Sequence, residues 1–199
     1  YIAAFTAFYA AAVACAQSDI KRGLAFSTIS QIAYMLVALG VGTELTGEGG
    51  VGYMAGMFHL FTHAMFKALL FLCSGAIIVI VGSNFYQYMG GLRKYMPITN
   101  ITFLIGCLAI SGIPPFAGFF SKDEIVSAAF HFSPFMGFFM TLVSGMTAFY
   151  MFRLYYLIFW GNSYYEQHPN NRRRPQEVPF VMWGPLVFLA IISVFAGMI

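Results

Sequence analysis

Gly56-Met-Phe-His-Leu-Phe-Thr-His-Ala-Met-Phe-Lys-Ala-Leu-Leu-Phe-Leu72 sets His59, His63 and Lys67 into an otherwise apolar run. Their spacing of i, i+4, i+8 predicts one slowly drifting stripe on a helix. The run extends from Val51 to Val81, too long and too greasy for the core helix of a soluble domain. As one helix it would be ~46 Å long against a ~30 Å hydrocarbon core, so it is expected to tilt, kink or break. A lysine at the centre of a membrane helix costs roughly 2.5–3.5 kcal/mol even on the mildest scale. A row of three protonatable groups in such a place points to a proton or ion path.

Two other readings compete for the same row. The histidines could be hydrogen-bonded core residues, with Lys67 snorkelling to an interface. Lys67 lies ~24 Å into the helix, nearer its middle than either edge, which argues against snorkelling. Histidines at i and i+4 can also share a metal ion. No acid accompanies them on their own helix, His131 falls at a span end, and His168 falls in a polar loop. No metal ligands, cofactor-binding residues or catalytic residues are assigned.

The rest of the chain agrees with a membrane setting. Of 199 residues, 60% are hydrophobic and 9% charged, where a soluble domain carries about 25% charge. Mean hydropathy is +0.77. Strict alternation is absent, which disfavours a β-barrel. The expected class is all-α, a polytopic bundle of about six spans embedded in the lipid bilayer. Cys15, Cys73 and Cys107 lie inside apolar runs and read as small core residues rather than disulfide or cluster ligands. The chain begins at Tyr1, already inside an apolar run, and is expected to be a fragment of a longer protein.

Residues 1–160 read as one bundle, with spans at 1–17, 24–42, 51–81, 98–132 and 134–160. Residues 161–179 form a basic loop, and 180–199 a final span. If the turn holding Asp19, Lys21 and Arg22 is cytoplasmic, alternate loops place Arg93, Lys94 and Arg172 to Arg174 on the same side. Glu44 and Glu48 fall on the other side, with no Lys or Arg. That is the positive-inside pattern.

Two spans look discontinuous. Ser74 and Gly75 form a Gly/Ser pair, a known kink site. Gly112, Pro114 and Pro115 interrupt 98–132 more severely, because two prolines remove donors and clash with the preceding turn. Unwound backbone at membrane depth survives only where protein or a wet cavity satisfies it. Directly after this break stand Lys122, Asp123 and Glu124, and charges at broken helices are where transporters keep ion sites. The acids could complement a helix N-terminus; Lys122 is at the wrong end for that and reads as a pairing or pathway group. Arg153 reads as a snorkelling or backbone-pairing residue in an aromatic belt. Asp19, Lys21 and Arg22 read as topology charges or a buried Asp–Arg pair.

Four segments carry a family resemblance. They are 18–35 (Ser-Asp-Ile-Lys-Arg-Gly-Leu-Ala-Phe-Ser-Thr-Ile-Ser-Gln-Ile-Ala-Tyr-Met), 58–72 (within the opening stretch), 89–94 (Met-Gly-Gly-Leu-Arg-Lys) and 112–125 (Gly-Ile-Pro-Pro-Phe-Ala-Gly-Phe-Phe-Ser-Lys-Asp-Glu-Ile). In kind and order they resemble the largest antiporter-like subunits of respiratory complex I, the L-type subunits of NADH:quinone oxidoreductase and mitochondrial subunit 5. The resemblance reaches to about Gly161.

It implies a bundle of two inverted repeats, each with one broken helix, of which this chain holds the last core helices. It further implies that His59, His63 and Lys67 form a central proton relay and that Lys122 is the terminal lysine toward the outer exit. Val79 stands where relatives often carry a histidine, so no titrating role transfers there. By the same resemblance the chain is a hetero-oligomeric partner of other membrane subunits, in a bacterial inner membrane or else a mitochondrial or thylakoid membrane. NADH, FMN, iron–sulfur clusters and quinone are expected in other subunits, and the chain does no redox chemistry itself. Nothing points to nucleic acid. A lysine suits such a relay because moving a carboxylate changes its charge state, and histidine can pass protons between water and lysine. A cation/proton antiporter subunit, a His-ligated membrane metalloenzyme and an inert scaffold remain the alternatives.

Overall fold

The computed structural model of the protein describes residues 1–42, 50–161, 164–167 and 175–197. Among them, helix is the regular structure throughout: α1 (Ile2–Ala16), α2 (Ile20–Val41), α3 (Val51–Val81), α4 (Pro97–Ser111), α5 (Ala117–Phe132), α6 (Pro134–Phe159), the single turn α7 (Tyr164–Gln167) and α8 (Phe180–Phe195). Strand pairing among them is limited to an isolated bridge between Asp19 and Phe85. The protein is an all-α membrane bundle. Helices α2, α3 and α6 are long and apolar enough to cross a membrane, and α1, α4 and α8 are shorter apolar helices.

Helix α3 is the rail on which the bundle is built. Its 31 residues run unbroken through Ser74 and Gly75, so the discontinuity expected there is corrected. A single glycine costs a helix only about 1 kcal/mol and keeps its N–H. The Ser74 hydroxyl returns to the Phe71 carbonyl (2.7 Å), satisfying itself inside the turn without displacing the ladder.

The second discontinuity is real. α4 stops at Ser111, and Gly112 takes a left-handed conformation (φ 74°) open to glycine at little cost. Gly112 N–H donates to the Ala109 carbonyl and Ile113 N–H to the Leu108 carbonyl, the paired bonds of a Schellman closure. Pro114 and Pro115 follow, joined by a cis peptide bond, and α5 restarts at Ala117. The corner is tight. A Cβ on Gly118 would collide with the Ala109 carbonyl, so only glycine lets α5 lie against the end of α4.

α4 and α5 pack in succession along α3, antiparallel to it. Thr102 meets Cys73 and a Cβ on Gly106 would meet Leu70, whereas Ser121 meets Thr62 and His59 farther along. With 15 and 16 residues they together match the length of α3. α1 packs along α2, α6 covers α1, α4 and α5, and α8 lies on α3 and α4.

The charged turns gather at one end, here the basic end. Ile20 N–H donates to the Asn84 carbonyl and Tyr86 N–H to the Ser18 carbonyl, which joins the Lys21–Arg22 turn to the connector after α3. Arg93 lies 4.3 Å over the Trp160 ring, and Gly90 and Gly91 donate to the Ile158 and Trp160 carbonyls. Lys21, Arg22, Arg93 and Lys94 therefore share one end. Glu44, Glu48, His168 and Arg172 to Arg174 lie outside the described residues.

Candidate functional site

The buried interior of α3 is polar where its outer faces are not. His59 is wholly buried, His63 is 6% exposed and Lys67 5% exposed, while Leu60, Phe61 and Leu72 face outward. The stripe read from the spacing thus points into the bundle. The His59 and His63 rings lie 6.1 Å apart, with Phe66 edge-on to His63 at 5.4 Å.

Lys67 and His59 each meet a polar group from another helix, whereas His63 Nε2 is buried without a hydrogen-bond partner among the described residues. Lys67 Nζ donates to the Ser27 hydroxyl of α2. His59 Nε2 lies 3.1 Å from Gln31 Oε1, and Gln31 donates its amide to the Thr147 hydroxyl of α6 (3.2 Å). His59 Nδ1 lies 2.8 Å from the Ser121 hydroxyl of α5, which also meets the Thr62 hydroxyl at 3.0 Å. The phenol of Tyr150 adjoins Ser27, Gln31 and Thr147. Because Gln31 donates to Thr147, its carbonyl faces His59 and fixes Nε2 as the protonated nitrogen of the neutral ring. Nδ1 is then free to accept from Ser121. A second proton on the ring would reverse that last bond, with the Ser121 hydroxyl turning to Thr62 or to the Ala117 carbonyl at 3.3 Å.

Lys122 enters from α5. It is 3% exposed; its ammonium stands 5.8 Å over the Tyr34 ring and has no hydrogen-bond partner among the described residues. Its aliphatic stem runs beside Gly112 at the α4–α5 corner. The structure therefore brings His59, His63, Lys67 and Lys122 into one interior.

The supporting charges divide differently from expectation. α5 begins five residues before Lys122, and its first turn holds no acid, so Asp123 and Glu124 do not complement the helix start. Both are exposed on the outer face of α5. Asp19 forms no buried pair with Arg22: it caps α2, accepting from the Lys21 and Arg22 N–H groups at 2.8 and 3.2 Å, while both basic side chains are exposed. Arg153 pairs with backbone, donating to the Cys15 and Gln17 carbonyls at the end of α1 (2.8 and 3.2 Å). Outside the spans, burial pushes the Tyr86 phenol above its ordinary pKa, with its O–H donating to the Asp19 carbonyl.

Sequence reasoning passed over Ser27, Gln31, Tyr34, Thr62, Ser121 and Thr147. Three of them were within reach, since Ser27, Gln31 and Tyr34 fall at i, i+4 and i+7 on one apolar helix. Glu177 was also passed over. It caps α4 from 79 and 78 residues away, accepting from Ile98 N–H (2.8 Å) and the Thr99 hydroxyl (2.6 Å).

Comparison with known proteins adds a second line. The family described as NADH:quinone oxidoreductase/Mrp antiporter, TM, matches residues 1–148. The chain is 47% identical to the NAD(P)H-quinone oxidoreductase chain 5 of Picosynechococcus sp., covering 98% of this chain and 32% of that one. It is 49% identical to the chloroplastic NAD(P)H-quinone oxidoreductase subunit 5 of Chaetosphaeridium globosum, covering 99% of this chain and 30% of that protein. The chain thus spans about a third of the length of the curated relatives it matches. Among solved structures, a chain of the archaeal membrane-bound sulfane sulfur reductase superimposes with a TM-score of 0.87 at 32% identity, covering 98% of this chain and 31% of that one. A chain of the Mrp complex from Dietzia superimposes at 0.85 with 23% identity, covering 98% and 43%, a likeness of fold alone.

Proposed function

The chain belongs to the NADH:quinone oxidoreductase/Mrp antiporter transmembrane family, and from that premise we propose that it is the proton-translocating part of a quinone-oxidoreductase membrane subunit. The observation that carries this reading is the buried polar row: an amine, two imidazoles and a second amine, with hydroxyl and amide side chains from α2, α5 and α6 between them.

Protons enter the row at Lys67 and leave it at Lys122. His59 and His63 carry them between, since imidazole accepts on one nitrogen while it releases from the other. Ser121 completes the path as a hydroxyl that rotates between donating to His59 and accepting from it. Moving one charge across the membrane is worth ~2.3 kcal/mol per 100 mV. Loading and unloading Lys67 by charge movements elsewhere in the assembly supplies energy of that order.

Partners in this reading are other membrane subunits, and the relatives support a bacterial or thylakoid membrane as the site. NADH, FMN, iron–sulfur clusters and quinone are assigned to those other subunits. The Cys73 and Cys107 thiols are engaged with Thr102 and the Met151 carbonyl. No group of three or more His, Cys, Asp or Glu suited to a metal lies among the described residues.

The test is Lys67→Ala in the full-length protein within its assembled complex. A strongly reduced proton-to-electron ratio is expected. A normal ratio would make Lys67 a structural group and the chain a scaffold, and a sodium requirement for transport would favour the antiporter reading.

A further inference from the structure

His59 stands in the middle of a hydrogen-bonded chain that crosses four helices. It begins at the Ala117 carbonyl of α5, 3.3 Å from the Ser121 hydroxyl, and passes from Ser121 to His59 Nδ1 at 2.8 Å. From His59 Nε2 it reaches Gln31 Oε1 on α2 at 3.1 Å, and from the Gln31 amide nitrogen it reaches the Thr147 hydroxyl on α6 at 3.2 Å. It ends at the Val143 carbonyl, which accepts from that hydroxyl at 3.0 Å. Ser121, His59, Gln31 and Thr147 are wholly buried, so bulk water substitutes for none of these links. The Tyr150 phenol adjoins Gln31 and Thr147 but has no hydrogen-bond partner among the described residues.

Every side chain between the two carbonyls both donates and accepts. Thr147 has one hydroxyl proton and gives it to Val143, so toward Gln31 it can only accept. That turns the Gln31 amide nitrogen to α6 and its carbonyl to His59, which places the ring proton on Nε2. Donation therefore runs one way, from Ser121 to His59, Gln31, Thr147 and Val143 in turn. Reversing it leaves every residue in place. Thr147 turns its O–H to Gln31, the amide turns over, the ring carries its proton on Nδ1, and Ser121 donates to Ala117. Either direction pairs both ring nitrogens and both ends of the Gln31 amide, and an unpaired buried group would be costly. What separates the two states is where the Thr147 proton points.

Resting on the proton-relay reading, we propose that Thr147 is a positioning residue for His59. Through Gln31 it sets which ring nitrogen carries the proton at rest, and by turning its hydroxyl it lets the ring be reset. A proton that enters the ring at one nitrogen and leaves from the other inverts the tautomer. The ring cannot pass a second proton the same way until the first tautomer is restored. The reversible chain keeps every step of that cycle fully hydrogen-bonded. Helix α6, which carries no member of the row, thereby governs one of its histidines.

The test is Thr147→Val in the full-length protein within its membrane-embedded complex. Valine keeps the side-chain shape and removes the hydroxyl. Nitrogen NMR of complex with isotopically labelled histidine rings reads the tautomer of His59, assigned by the signals missing from His59→Gln. The wild type is expected to rest with its proton on Nε2. In Thr147→Val the form protonated on Nδ1 is expected to appear, and Thr147→Ser, which restores the hydroxyl, is expected to return the ring to Nε2. A packing role alone would leave the ring unchanged. A wild type resting with its proton on Nδ1 overturns the proposal without any variant, and so does an unchanged ring in assembled Thr147→Val. The proton-to-electron ratio is expected to fall several-fold in Thr147→Val and to recover in Thr147→Ser. With Lys67→Ala measured alongside, a normal ratio in Thr147→Val alone defeats the role of Thr147, whereas normal ratios in both defeat the relay itself.

Discussion

The Ser121 hydroxyl lies 2.8 Å from His59 Nδ1, so the residue beside Lys122 holds the first histidine of the row. The broken helix and the unbroken one are thereby joined by a bond that can reverse. Ser121→Ala is expected to lower the proton-to-electron ratio, though less than Lys67→Ala does. Ser121→Thr, which restores the hydroxyl, is expected to recover most of it. Leaving a buried ring nitrogen unpaired also costs about 1–3 kcal/mol, to be read as a lower melting temperature of Ser121→Ala alone.

Lys67→Arg is expected to fail nearly as badly as Lys67→Ala. A guanidinium stays protonated under all physiological conditions and cannot release what it carries. Pumping by reconstituted complex with the Arg variant at wild-type rates would remove Lys67 from the relay.

Arg153 holds α1 to α6 through two carbonyls at the end of α1. Arg153→Met keeps the apolar stem and removes both charged hydrogen bonds, a loss of about 1–3 kcal/mol. Less complex should assemble, or it should melt lower, while the proton-to-electron ratio of what assembles stays normal.

Gly112→Ala places a Cβ in a left-handed conformation and within 3.3 Å of the Lys122 stem. Strain of about 1–3 kcal/mol is expected from the backbone alone. Pumping should fall together with stability, because the same Cβ presses on the lysine proposed as the last carrier of the relay.

Tyr86 ties the connector after α3 to the start of α2 through its O–H. Burial raises its folded pKa above the ordinary phenol value of about 10, so its stabilising effect is whole below about pH 10 and is lost as pH rises through the folded value. Melting measured at pH 8 and pH 11 should fall further in the wild type than in Tyr86→Phe, which has no proton to lose.

The row on α3 was legible because three polar residues at helical spacing stand out against a greasy run, and the Pro114–Pro115 break because proline chemistry leaves no alternative. Ser74 and Gly75 misled because a local hydroxyl bond and one tolerated glycine leave the ladder whole. Asp123 and Glu124 misled through the start of α5, which lies five residues earlier than the charges suggest. The hydroxyl and amide partners on α2, α5 and α6 are ordinary residue types in membrane helices, and only three-dimensional packing distinguishes those that touch His59 from those that face lipid. Glu177 was invisible for a related reason: its partners Ile98 and Thr99 lie 79 and 78 residues away in sequence.

The match in length between α3 and its two-piece neighbour carries a consequence for how this chain can change. Its contacts with α4, at Cys73 and Leu70, and with α5, at Thr62 and His59, are two separate seams along one rod. An extra residue within α3 between them would swing one seam about 100° out of step with the other. The same residue added at 113–116 would only lengthen a loop. Tolerance to insertion is thus concentrated in the corner, and the spacing from Thr62 to Leu70 is a fixed gauge that sequence drift can alter in residue type but not in number.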